Sequence, residues 1–389
     1  MDINQLRDLL PVTKDYVYMN TGWAGPSTSR VLDKISDTLK LESHMGPASA
    51  KGVAFTHSVE AEAKKKISQM VNSPEEDMLI THSTREGINI VLYGMTWQPD
   101  DELLICDLEH MALTTPSKLL ETRFGVTIRS VQIPYIIESA EIVRLVENAI
   151  NDKTKLIALS HIQYTCGLRM PIKEITAVAK KAGIPTLIDG AQTVGQIELD
   201  MQDLGCDFYA MPGQKWLMGP VGTGALYVNS KNISAIHPLF SLKKPVDSDA
   251  VDTPNPLAGF SLVSQNPGLL AGFSESIDIS GEIGIDKIAN RTMSLSSLMR
   301  DLVSSIGGCN LLSPKSTESA CGLVTVSLDN WTPQQLASAL QDDFKIVGRT
   351  VRGPDGVRFS THYFNTEFEV EQVAEALIDL VDQGPPNHD

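Results

Sequence analysis

One aspartate and one lysine in the middle of the chain are each close to glycine in otherwise apolar surroundings. Asp189 ends the apolar run "PTLID" (185–189) and precedes Gly190, and Lys215 lies within "GQKWLMGPVGTG" (213–224). An apolar pocket disfavours the charged form of a lysine, and the neutral amine forms a Schiff base with a carbonyl group. Asp189 by itself is also compatible with a helix N-cap.

A carboxylate and a Schiff-base lysine are the two protein groups that pyridoxal 5'-phosphate requires. The carboxylate keeps the ring nitrogen protonated, so that the ring accepts electrons from a substrate carbanion. We therefore expect Lys215 and Asp189 to hold opposite ends of one cofactor.

The elements that must position these residues are short strands that alternate with helices. Apolar runs occur at 78–81, 103–107, 126–133, 156–160, 185–189, 208–211 and 224–228, and the stretch 172–183 has helical spacing. This alternation predicts a mostly parallel sheet with helices on both faces and ligands at the carboxyl ends of its strands. A stretch rich in Pro, Ser, Asp and Gly (240–268) is expected to be a long excursion. From about Gly281 a helical pattern resumes, and the runs 322–328, 332–343, 357–363 and 369–383 predict a smaller α+β unit.

The composition of the chain excludes some classes of binding partner. The 389 residues have a net charge of −16, which argues against nucleic acid or an anionic membrane as a partner. The five cysteines are widely spaced and show no metal-ligand pattern, and the N-terminal stretch lacks the long apolar core of a signal peptide. We expect a cytoplasmic protein without a metal.

The motif "DGAQ" (189–192) followed by "GQKWLMGPVGTGALYV" (213–228) resembles the fold-type I pyridoxal-phosphate enzymes of the class V aminotransferase and cysteine desulfurase group. Segments 79–110 and 348–371 are most similar to the cysteine/cystine C–S lyases, with isopenicillin N epimerase-like proteins next. The resemblance implies an α/β fold with a seven-stranded, mostly parallel central sheet. It also implies a large domain (15–250), a connecting loop (251–259) and a small α+β domain (1–14 and 260–389).

The resemblance assigns roles around the cofactor ring. Lys215 matches the Schiff-base lysine, Asp189 the partner of the ring nitrogen, Gln192 the partner of the ring hydroxyl, and His110 the histidine stacked on the ring. Lys215, His110 and Asp189 are the expected catalytic residues.

The phosphate site departs from the family pattern. Thr84 and Arg85 lie at a predicted helix start, which is a ready phosphate site, but Arg85 stands where the family has a hydroxyl. Gln214 replaces a family histidine. Ser264 aligns with a threonine that reaches the phosphate of a neighbouring subunit, which implies a homodimer with a shared active site. Arg85 as a solvated charge and Ser264 as a loop serine without a role remain open.

On the substrate side, Arg358 matches the arginine that binds the α-carboxylate of an amino acid. Arg349 gives a second cation able to bind a substrate with two carboxylates, such as cystine, although a surface salt bridge is equally compatible with it. Tyr164 and Trp23 are expected to contact the substrate.

The reaction is predicted from what the chain lacks. Cysteine desulfurases use a loop cysteine, and the matching segment 346–358 contains none. The prediction is α,β-elimination at carbon–sulfur bonds, with epimerisation, transamination and a non-catalytic binding protein as alternatives. Cys166 is either a substitute nucleophile or, as we favour, a buried filler.

Overall fold

The computed structural model describes residues 1–238, 256–260 and 265–386. Its helices are α1 (Ile3–Asp8), α2 (Ser29–Met45), α3 (Ala50–Met70), α4 (Thr84–Gly94), α5 (Met111–Phe124), α6 (Ser139–Ala149), α7 (Ile172–Lys181), α8 (Met201–Leu204), α9 (Pro267–Ile283), α10 (Ile285–Ser304), α11 (Pro333–Phe344) and α12 (Glu367–Gln383). Its strands are β1 (Val17–Tyr18), β2 (Met78–Thr81), β3 (Glu102–Cys106), β4 (Thr127–Val131), β5 (Thr154–Ser160), β6 (Thr186–Asp189), β7 (Phe208–Pro212), β8 (Gly224–Val228), β9 (Cys309–Leu311), β10 (Leu323–Leu328), β11 (Ile346–Val347), β12 (Arg349–Val351) and β13 (Gly356–Ser360).

The main sheet has seven strands in the order β2-β8-β7-β6-β5-β3-β4. Strand β8 runs antiparallel to both of its neighbours, and the other neighbouring pairs are parallel. The prediction of a seven-stranded, mostly parallel sheet is therefore confirmed. Each of the seven apolar runs in the sequence corresponds to one of these strands. Six of them are buried along all or nearly all of their length, and a strand buried on both faces is apolar throughout. The edge strand β4 is mostly exposed.

Helices cover both faces of this sheet. In β3, Leu104 and Cys106 pack with residues of α3, α6 and α7, whereas Leu103 and Ile105 pack with residues of α4 and α5 on the opposite face. Alternate side chains of a strand point to opposite faces, so one short strand contributes to two cores. Burial of each such aliphatic side chain contributes about 1.5–3 kcal/mol.

A second sheet has the antiparallel order β12-β13-β10-β9 and packs with α10, α11 and α12 around a third core. The N-terminal chain joins this region, because β1 pairs in parallel with β11 and Asn20 bridges to Ser360. The segment that follows β1 is consequently held beside β13, which carries Arg358.

Helix α9 was not expected from the sequence. The helical pattern was predicted to resume near Gly281, whereas α9 begins at Pro267. Most of its residues are buried, so it lacks the polar face that gives a surface helix its period. Among the described residues, no helix combines the length and the apolar character that a membrane crossing needs.

Candidate active site

Asp189 and Lys215 lie at the carboxyl ends of adjacent strands. Asp189 is the last residue of β6, and Lys215 follows the end of β7 by three residues. The Asp189 side chain is buried, whereas Lys215 keeps a partial opening to solvent. Parallel strands present their carboxyl ends at one edge of the sheet, which is where this fold class binds ligands.

The charges of these two residues interact. The pKa of Lys215 is lowered to about 8: burial has the largest effect, Asp189 opposes it, and Arg358 and Arg349 add smaller effects in the lowering direction. Burial raises the pKa of Asp189, against the effects of Lys215 and of the Ala191 amide. No hydrogen bond of the Lys215 amine exists among the described residues. An appreciable fraction of the amine is therefore neutral, and nucleophilic, near neutral pH.

The turn after Asp189 packs against the ring of Tyr209. The Asp189 Oδ1 atom accepts a hydrogen bond from the Ala191 amide at 2.8 Å. A Cβ atom on Gly190 would lie 2.1 Å from the Tyr209 ring, so only glycine fits here. The Tyr209 hydroxyl is in turn hydrogen-bonded to His161 at 3.0 Å and to Thr193 at 2.5 Å.

His110 is the N-cap of α5, and its pKa is lowered. Its Nδ1 atom accepts a hydrogen bond from the Ala112 amide at 3.1 Å, and its ring meets Tyr164 edge-on with centroids 4.8 Å apart. Burial lowers the pKa of His110 to about 4. Four cations add smaller effects in the same direction: Lys215, Arg349, Arg85 and Arg358. The structure thus places these predicted residues within electrostatic range of one histidine.

Gln192 connects the segments that carry Trp23 and Lys215, through their neighbours Gly22 and Trp216. Its amide nitrogen donates to the Gly22 carbonyl at 2.8 Å, and its amide oxygen accepts from the Trp216 indole at 2.9 Å. Trp216 also stacks on His362 with ring centroids 5.6 Å apart. The sequence signals for this arrangement are the position of Gly22 beside Trp23 and that of Trp216 beside Lys215.

The phosphate candidates lie in three places. Thr84 and Arg85 are the first two residues of α4, and their backbone amides have no hydrogen-bond acceptor among the described residues. The Ser83 hydroxyl caps the helix by accepting a hydrogen bond from the Glu86 amide. The Arg85 side chain is exposed. The Gln214 amide oxygen is buried and has no hydrogen-bond partner among the described residues. Ser264 lies outside the described residues.

Arg358 is fully buried in β13. Its Nη1 atom donates to the Tyr164 carbonyl at 2.6 Å, whereas Nε and Nη2 have no partner among the described groups. A Cβ atom on Gly22 would lie 3.0 Å from Nη2, so the N-terminal segment covers the guanidinium. Burial, followed by the charge of Arg349, lowers the pKa of Arg358 to about 9. Two unpaired donors of one guanidinium are what a carboxylate binds in bidentate fashion.

Arg349 is the direct partner of Arg358 in the β12–β13 pair. Its guanidinium lies over the Trp23 ring, 4.8 Å from the centroid, and Trp23 is 58% exposed. No carboxylate within 4.0 Å pairs with Arg349 in the part of the chain that the structure describes, which argues against a surface salt bridge. Like charges on directly opposed residues destabilise a sheet unless an anion compensates them.

Comparisons with known proteins agree with this architecture. The profile of the aminotransferase class-V family matches residues 24–373. A probable cysteine desulfurase of Methanothermobacter thermautotrophicus is 27% identical over an alignment that covers 99% of both chains. An isopenicillin N epimerase of Streptomyces clavuligerus is 26% identical, covering 97% of this chain and 98% of the relative.

One similar solved structure is the cystine C–S lyase C-DES in complex with its reaction product cysteine persulfide. It has a TM-score of 0.89 and 24% identity, with coverage of 95% of this chain and 99% of that chain. A C-DES mutant with glycine covalently linked to its pyridoxal-phosphate cofactor has a TM-score of 0.90 and 24% identity, with coverage of 96% and 99%. At this identity the similarity shows the fold, and it confirms the predicted fold-type I architecture.

Proposed function

The chain belongs to the aminotransferase class-V family of pyridoxal-phosphate enzymes, and we propose that it is a lyase that cleaves carbon–sulfur bonds of cystine or a related amino acid by α,β-elimination. The observation that carries this proposal is the buried guanidinium of Arg358, whose Nε and Nη2 atoms have no partner among the described residues, close enough to Lys215 to help lower the pKa of its amine.

The described residues fit pyridoxal phosphate. Lys215 offers an amine without a hydrogen-bond partner, and Asp189 offers a buried carboxylate that a protonated ring nitrogen would compensate. The first amides of α4, together with Arg85, are available to a phosphate group. His110 is neutral and suits stacking on a ring. The Gln192 side-chain amide already donates one hydrogen bond and accepts another, so a contact with the ring hydroxyl would use its second N–H group.

Pyridoxal phosphate, when bound, supplies a ring that accepts the electron pair left at the substrate α-carbon. In the proposed reaction the Lys215 amine takes the α-proton, and Arg358 holds the substrate carboxylate in a fixed orientation.

The β-carbon–sulfur bond then breaks, and its electron pair leaves with sulfur. Overall, cystine and water give pyruvate, ammonia and cysteine persulfide.

The cysteines support elimination over persulfide transfer to the protein. Cys106, Cys166, Cys206 and Cys321 are buried, and all five cysteines are free. Burial raises the pKa of Cys166 to about 11 and that of the half-buried Cys309 to about 12. A thiol in this state is a poor nucleophile, so the preference for Cys166 as a buried filler is retained.

The opposed pair of arginines supports a substrate with two carboxylates. Arg358 would take the carboxylate at the reacting end, and Arg349, which is half-buried against the exposed Trp23 ring, would take the distant one. Tyr164, whose carbonyl holds Arg358 and whose ring meets His110, would line the path between them. Cystine has this arrangement of charges, and cysteine does not.

A homodimer would complete the site. Met111 and Leu119 on α5 are 58% and 44% exposed, and they line a groove together with Arg85 beside the proposed phosphate position. We propose that a second copy covers this face. Sedimentation of wild type and of Met111→Glu tests this, and a monomeric wild type would refute it.

The proposed location is the cytoplasm. Five free cysteines are typical of a protein in a reducing compartment.

The test is incubation of the holoenzyme with cystine, with cysteine and with a panel of amino acids, while pyruvate, persulfide, keto acid and D-isomer are measured together. Pyruvate and persulfide in equal amounts from cystine support the proposal. Exchange of the α-proton without pyruvate would refute it in favour of epimerisation, the activity named for the Streptomyces relative. Wild-type protein that stays colourless with pyridoxal phosphate would refute cofactor binding, and Lys215→Ala is the matched variant expected to lose the visible absorbance.

A further inference from the structure

Glu109, the residue before His110, is a buried carboxylate without a cationic partner. It is 6% exposed. Its oxygens accept hydrogen bonds from the Ser160 amide at 3.0 Å, the Ser160 hydroxyl at 2.5 Å, the Cys106 thiol at 3.0 Å and the Gln163 amide at 3.3 Å. No lysine or arginine of the described residues lies within 4.0 Å of it. Hydrogen bonds from these neutral donors favour the ionised form of this carboxylate.

These bonds join strand ends next to the proposed cofactor site. Cys106 ends β3 and Ser160 ends β5, and Ser160 is the direct partner of Asp189 in the β5–β6 pair. Glu109 thus connects the loop that carries His110 to the strand beside Asp189.

Charge couples Glu109 to Asp189. Burial raises the pKa of Glu109 to about 7, Asp189 contributes in the same direction, and the hydrogen bonds of Ser160 and Cys106 oppose the change. The titratable groups that face Glu109 are Cys106 on β3 and Asp189 on β6. The pKa of Cys106 is raised by burial and by the charge of Glu109, so the thiol stays protonated and Glu109 is the group that titrates near neutral pH.

We propose that Glu109 is a positioning residue of the cofactor site, which holds the His110 loop on β5 and places a second negative charge behind Asp189. This inference rests on the arrangement of Lys215, Asp189 and His110 around pyridoxal phosphate proposed above. A second negative charge near Asp189 favours the protonated state of the ring nitrogen that Asp189 would face.

The test compares Glu109→Gln with Glu102→Gln in the holoenzyme. Glu102 is also 6% exposed, but it lies at the amino end of β3, away from the proposed cofactor site. Its carboxylate accepts hydrogen bonds from Arg129 and Asn151. The measurement is the pH at which the visible absorbance of the bound cofactor changes, followed by kcat and KM. We expect the midpoint of Glu109→Gln to fall by about one pH unit, as the loss of one nearby charge does, and that of Glu102→Gln to stay at the wild-type value.

An unchanged midpoint in folded Glu109→Gln, or an equal shift in both variants, would overturn the inference. If Glu109→Gln does not fold, the inference is tested with Ser160→Ala, because loss of the Ser160 hydroxyl removes a hydrogen bond that favours the ionised form of Glu109. A lower midpoint then supports the inference, and an unchanged one overturns it. Wild-type protein that takes up no cofactor would overturn the proposed function, whereas normal uptake with an unshifted Glu109→Gln overturns this inference alone.

Discussion

Replacement of Arg358 by lysine tests the substrate site most directly. The change keeps the positive charge and removes the planar fork of donors. The pKa of Arg358 is lowered from its ordinary 12.5 to about 9. At about 1.4 kcal/mol per pH unit, this corresponds to about 5 kcal/mol against the charged form in the empty site. A bound carboxylate relieves part of that cost, so binding and charge are strongly coupled at this residue.

The expected loss follows from this coupling. Arg358→Lys keeps the charge and loses the bidentate fork, so the relevant loss is that of a charged hydrogen bond, about 1.5–3 kcal/mol. We therefore expect kcat/KM for cystine to fall about 10- to 150-fold in Arg358→Lys, mostly through KM. Steady-state kinetics that follow pyruvate measure this, with thermal unfolding as a check of folding.

Arg300→Lys is the matched control. Arg300 is 4% exposed, its Nη2 atom also lacks a described partner, and burial also lowers its pKa, but it lies on α10 and its Nη1 atom donates to the Cys321 carbonyl. We expect Arg300→Lys to lose stability while KM stays within about threefold of wild type. Equal KM values for the two folded variants would refute the assignment of the substrate carboxylate to Arg358.

Three further predictions concern stability and the cysteines. The pKa of Lys215 is about 8 in the folded chain and 10.5 when unfolded, so between these values the unfolded chain binds more protons and stability rises with pH. Cofactor-free Lys215→Met should therefore be more stable than wild type below pH 8 by about 1–3 kcal/mol in urea unfolding, with the difference shrinking toward pH 10. Gly190→Ala should lose about 1–3 kcal/mol and cofactor affinity through its clash with Tyr209, whereas Gly281→Ala, in open space on α9, should gain up to about 1 kcal/mol in the same assay. Cys166→Ser should keep pyruvate formation within about threefold of wild type, because a buried thiol of raised pKa does not react.

A different result would contradict each of these three predictions. A Lys215→Met difference that is constant with pH would show that the amine is not desolvated in the folded chain. Equal stability of the two glycine variants would show that the Tyr209 contact yields easily. A persulfide trapped on Cys166, together with loss of activity in Cys166→Ser, would restore that residue as a nucleophile.

The central sheet could be predicted from the sequence because its information is local. A strand buried on both faces is a continuous apolar run, and the runs at 78–81 and 224–228 coincide with β2 and β8. Asp189 ends one such run and Lys215 follows another after a few residues, so their places at the strand ends followed from their neighbours. Helix α9 shows the limit of this reasoning, because a helix buried on nearly all sides has no period to detect.

The rest of the site required the tertiary structure. Gln192 and Gly22 are 170 residues apart and share a hydrogen bond, and Arg358 donates to Tyr164 across 194 residues. Trp23 stacks on Arg349 because β1 pairs with β11, two short segments from opposite ends of the chain. The sequence by itself determined the sheet and the positions of Asp189 and Lys215 at its strand ends, since each depends on near neighbours. The unpaired state of Arg358 and the charge of Glu109 depend on distant segments, and only the folded chain decides which donors and acceptors those segments supply.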